Sequence, residues 1–122
     1  MADYRQPVVD VPALTSLLDG TYVEVRTLTR KRLVEHAGIL EDARTMSSVD
    51  FRERVLQVVQ ELAATGQTGM GFPAAHGGGG DIGASVAAFE TMAFGDLSVL
   101  VKVGVQFGLF GGAILQLGTK KH

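Results

Sequence analysis

The stretch GMGFPAAHGGGGDIG, Gly69 to Gly83, constrains the fold more than any other part of this chain. Glycine weakens helices and strands alike, and Pro73 removes a backbone donor, so no regular element runs through it. It is a loop, and the residues on either side of it carry helical spacing. Nowhere does the chain show the period-two alternation of a half-buried strand. The expected fold class is all-α, a helical bundle.

Residues 1–10 read as an irregular N-terminal arm broken by Pro7, and residues 11–122 as one helical domain. A short helix after Pro12 would bury Leu14, Leu17 and Leu18, with a break at Asp19 and Gly20. In residues 21–36, Val25 and Leu28 share one face. The basic run Arg30, Lys31 and Arg32 takes another, either as a solvated face or as a grip on ligand phosphate. The clearest helix is SSVDFRERVLQVVQELAATGQ, which Ser47 or Ser48 can cap and Gly66 can stop. Its apolar positions Phe51, Val55, Val58, Val59 and Leu62 recur at helical spacing.

After the loop, ASVAAFETMAFGD reads as a helix with Val86, Phe89 and Ala93 on one side and Gly95 at its end. The last segment, LSVLVKVGVQFGLFGGAILQLG, is a long apolar helix that Asp96 or Ser98 can cap and Gly118 can stop. Leu97 to Leu117 would measure roughly 31 Å, enough to span a bilayer. Gly104 and Gly108 even carry the small-residue spacing of membrane helix pairs. Lys102, Gln106, Gln116 and the amphipathic helices around it favour a central helix of a soluble domain, buried among protein neighbours, and no membrane span.

Composition narrows the functional classes. The 122 residues suffice for one domain. A mean hydropathy of +0.22 is apolar for a soluble domain, which implies surface meant for other protein. Net charge is −2, so no overall field draws in nucleic acid or an anionic membrane. With no cysteine there is no disulfide, thiolate nucleophile or Cys-ligated metal. MADYRQPVVD lacks the pattern of a secretory signal and TKKH is not a recognised address, so the expected location is cytoplasmic.

Two motifs inside the loop suggest catalysis or nucleotide binding. HGGG lines the oxyanion hole of some esterases, but no G-x-S-x-G nucleophile elbow accompanies it. Gly78, Gly80 and Gly83 spell G-x-G-x-x-G. No strand precedes them, and Glu90 and Asp96 lie too close to serve as the ribose-binding acid. The bland reading, left-handed backbone and close packing, is preferred. Glu90 reads as a paired structural carboxylate rather than a catalytic acid, and His76 as an incidental loop histidine. No metal-ligand constellation occurs.

Taken in order, Pro73, the run Gly77 to Gly80, Glu90 on a helix, and a second helix ending in Gly118, Thr119, Lys120 and Lys121 form a pattern. From Gly69 to His122 the chain closely resembles the N-terminal helical domain of the acyl-CoA dehydrogenase and acyl-CoA oxidase superfamily. VKVGVQFGLFGGAI and LGTKKH are the more oxidase-like parts. The resemblance implies the helical part of an FAD-dependent enzyme that forms the α,β double bond of fatty acyl-CoA. It implies FAD only in the full-length enzyme, held chiefly by a β-domain and a C-terminal helical domain absent from these 122 residues. The catalytic base would also lie there, so this segment alone is expected to be inactive, with no catalytic, cofactor-binding or metal-binding residue of its own. Its role would be one wall of the acyl-chain pocket, carried by Val101, Val105 and Leu109 spaced four apart. The opposing reading puts those three side chains in ordinary core. Implied partners are fatty acyl-CoA, the missing domains and a second copy in a homo-oligomer. The alternative function is a stand-alone helical module that binds acyl groups or protein without catalysis.

Overall fold

The computed structural model describes residues 8–122; Pro7 and most of the expected arm lie outside them. Among the described residues every regular element is helical, as the spacing predicts. Helix α1, Val11–Asp19, starts where the Asp10 side chain accepts from the Ala13 amide, with Pro12 in the first turn. Helix α2 is Val23–Ala37, α3 is Ser48–Ala64 and α4 is Ile82–Met92. The last helical stretch begins as α5, Leu97–Val103, widens into a π-helix over Gly104–Gly111, and finishes as α6, Gly112–Leu117.

The apolar core is small and lies between α3 and α5. Val55, Val58, Val59 and Leu62 of α3 meet Met92, Val99 and Val103, with Phe51 and Leu100 packed at the edge. This face of α3 is the expected one. Ser47 is its cap, accepting from the Asp50 amide at 3.1 Å. Gly66, just past the helix end, takes a left-handed φ of +77°.

Helix α2 packs on α4 by polar contacts instead. Tyr22 donates to Asp81 at 3.1 Å, Arg26 donates to Thr91 at 3.2 Å and to Glu90 at 2.6 Å, and Gln67 donates to Thr29 at 2.7 Å. Thr29 is the buried residue of α2, whereas Leu28 is exposed. Three side-chain atoms, Arg26 Nε, Arg32 Nε and Gln67 Oε1, are buried without a protein partner. Each such group costs about 1–3 kcal/mol unless water reaches it.

The buried faces depart from the apolar stripes elsewhere too, against expectation for α1 and the final helix. Leu14, Leu17 and Leu18 of α1 are exposed, and the buried residue of that helix is Asp19. On α4 the inner residues are Ala84, Ala87, Ala88, Thr91 and Met92, while Val86, Phe89 and Ala93 face outward. Small side chains let α4 lie close to its neighbours on two sides, so its bulky residues are left on the third. The final helix is not central either. It is long and apolar enough to cross a membrane by length and composition, yet little of it is buried. Val99 and Val103 anchor it to α3, and Leu109, Phe110 and Leu117 are exposed.

Gly83 sets the distance between α2 and α4. A Cβ there would lie 2.0 Å from the Tyr22 hydroxyl. Gly83→Ala should therefore expel the phenol and cost about 1–3 kcal/mol, read as a lower urea midpoint. Combining it with Tyr22→Ala should cost less than the sum of the two. Strictly additive losses would show that Tyr22 does not limit this position.

Candidate functional site

The glycine loop is closed on itself. The amide of Gly78 donates to Pro73 O, Gly79 to Gly69 O, Gly80 to Phe72 O at 2.8 Å and Asp81 to Met70 O at 2.9 Å. None of these donors is left for a phosphate or an oxyanion. A Cβ on Gly78 would lie 2.1 Å from the Phe72 carbonyl oxygen, and Gly80 has a φ of +71°. The Asp81 carboxylate occupies the N-terminus of α4, accepting from the Ala84 amide at 2.9 Å and from Tyr22. Its hydrogen bond, with burial and the carboxylate charge, raises the Tyr22 phenol above its ordinary range. Both motif readings of the loop thus fail on geometry: its glycines serve turn and packing.

Charged side chains suggested by the sequence are likewise used within the chain. Arg30 grips Asp19 with two donors, one at 2.8 Å. Arg32 pairs with Glu35 at 2.8 Å and Lys31 with the same carboxylate at 3.8 Å. The basic run is therefore spent on ion pairs rather than on a ligand phosphate. Glu90 is the structural carboxylate expected, paired with Arg26. His76 sits exposed in the short turn Ala74–His76, and His36 pairs with Glu61 at 2.9 Å. Among the described residues no group of His, Cys, Asp and Glu could hold a metal ion.

What remains is apolar. A groove of about 820 Å³ runs between α3 and α5, floored by Phe51, Val55 and Leu56 on one side and Val101 and Val105 on the other, with Arg52 and Lys102 in its lining. A second, of about 490 Å³, lies between the glycine loop, α4 and the π-helix, and takes in Phe72, Val86, Phe89, Phe107 and Leu109. The structure therefore brings Val101 and Val105 together and puts Leu109 elsewhere. Val105 and Leu109 both lie in the π-helix, and Leu109 lines the second groove. All three are exposed, not core. The opposing wall, Phe51 and Leu56, was missed as a site. Leu56 carries the one available signal, a large apolar residue off the buried stripe of α3.

A model of the acyl-CoA dehydrogenase N-terminal domain matches residues 22–122. The chain is also similar to the peroxisomal acyl-coenzyme A oxidase 2 of Arabidopsis thaliana, 47% identical over 36 residues. That alignment takes in 30% of this chain and 5% of the oxidase, so the chain matches only a small part of its relative's length. No solved structure matches the chain.

Asp19 offers a pH test of the α1–α2 tie. Hydrogen bonds from Arg30 hold its carboxyl below the ordinary value of 3.8 against the opposing effect of burial, and the charges of Arg30 and Arg26 add to the lowering. A carboxyl depressed in the folded state stabilises above its unfolded pKa, and that contribution disappears as pH falls through the folded value. The difference in urea midpoint between wild type and Asp19→Asn should be constant above about pH 5 and shrink below pH 4. A difference unchanged down to pH 2 would show that the pair contributes nothing through ionisation.

Proposed function

The chain belongs to the acyl-CoA dehydrogenase N-terminal domain family, and from that premise we propose that it is the helical N-terminal part of an FAD-dependent acyl-CoA oxidase or dehydrogenase. Its own contribution is one wall of the acyl-chain pocket. The observation that carries this is the α3–α5 groove, in which Val101 and Val105 stand exposed opposite Phe51 and Leu56. An aliphatic chain laid there gains about 0.8 kcal/mol for each methylene removed from water. Leu109 lines the second groove instead.

The described residues do not fit a flavin. The loop's amides are spent on its own carbonyls and the N-terminus of α4 is filled by Asp81. The chain alone is expected to be inactive. Its many exposed apolar side chains, such as Leu17, Phe94 and Leu117, suit contact with the domains absent from these 122 residues and with a second copy. The same contacts would keep the long helix out of a membrane.

Intact mass of the gene product from its source cells tests the reading first. A mass several times 12.9 kDa is expected; one near that value would replace the enzyme by a stand-alone acyl-binding or interaction module. In the larger product, Val105→Asp should raise KM for long-chain acyl-CoA by roughly tenfold or more, because a carboxylate faces the alkyl chain, while flavin content is unchanged. An unaltered KM would remove Val105 from the pocket.

A further inference from the structure

We propose that Arg52 and Lys102 make the α3–α5 groove selective for acyl chains that carry a second, remote carboxylate, so that ω-carboxyacyl thioesters are the substrate class of that site. The selection rests on the acyl reading of the groove. The two cations and their lack of a protein partner do not.

Cations elsewhere in the fold are spent on carboxylates. All four of α2 are paired: Arg26 with Glu90, Arg30 with Asp19, and Lys31 and Arg32 with Glu35. Arg52 and Lys102 differ. Among the described residues neither forms an ion pair. No Asp or Glu stands three or four residues from either one, and none lines the groove. The two cations come from opposite walls, Arg52 from α3 and Lys102 from α5. Each has a serine one turn before it, Ser48 and Ser98, in the same lining. Everything else that lines the groove is aliphatic or phenyl, and its volume of about 820 Å³ is in the range of small-molecule sites.

Charge decides what such a lining prefers. A plain alkyl tail laid on the apolar floor offers the guanidinium and the ammonium nothing, and it displaces part of their water. A carboxylate at the far end of the tail replaces that water with charge-assisted hydrogen bonds, and the planar fork of an arginine can take both of its oxygens. The floor thus holds the methylenes while the two cations read the end of the chain. Both residues are exposed, so water and salt screen the contact and the preference is moderate.

The test compares dodecanoyl-CoA with 11-carboxyundecanoyl-CoA on the full 122-residue chain, following the Val101 and Val105 methyl signals by NMR. The two ligands share their CoA, so the ratio of their dissociation constants isolates the remote carboxylate. At low salt the carboxylated thioester should bind about tenfold more tightly, and added salt should shrink the ratio. Replacing both cations, Arg52→Gln with Lys102→Gln, should bring the ratio to about one. Glutamine is a good helix former and both sites are exposed, so the fold should persist, with amide signals remote from the groove as the check. Equal affinities in the wild type overturn the selection and leave the acyl reading standing. So does a double variant that keeps the ratio, including one that weakens both thioesters alike because the cations meet the CoA phosphates. If neither ligand moves the Val101 and Val105 signals, the acyl reading falls and the selection falls with it.

Discussion

The close approach of α2 to α4 is the constraint on which the rest of the structure depends. Gly83 leaves room for Tyr22, and Thr91 and Glu90 receive Arg26. This contact sets where α4 begins and closes the glycine loop, because Asp81 binds Tyr22 and caps α4 with the same carboxylate. The loop then positions Phe72 against the π-helix. Exposed ion pairs such as Arg26–Glu90 contribute at most about 1 kcal/mol. The seam therefore specifies geometry more than it supplies stability.

Stability comes from the other side of the molecule. The core between α3 and α5 is short, valine-rich and built mostly from one face of α3. Much apolar surface is consequently left outside it, on α1, on the outer face of α4 and along the final helix. Both grooves are lined by apolar side chains that this core does not take up, among them Val86 and Phe89 of α4 and Val101 of α5.

The helical elements, the caps at Ser47 and Asp96 and the stop at Gly66 were legible because each rests on interactions within a few residues. The bland reading of the glycine loop was legible too, from what was missing around it. The inner faces of α1, α2 and α4 were not. Apolar residues there pointed one way, whereas packing chose Asp19, Thr29 and the alanines. Periodicity identifies an apolar stripe but does not say whether anything comes to cover it.

The candidate site divides along the same line. Local sequence alone determined that the chain is helical, that a loop precedes α4, though the helix starts at Ile82 rather than after Gly83, and that Val101 and Val105 lie on one face, because backbone preference and i to i+4 spacing are short-range properties. The order of its motifs also marked the family. Only the tertiary structure decided that this face opens onto α3 and that Leu109 departs from it. Which surface a helix face meets depends on residues far along the chain, here Phe51 and Leu56 of α3, and short-range spacing carries no record of them.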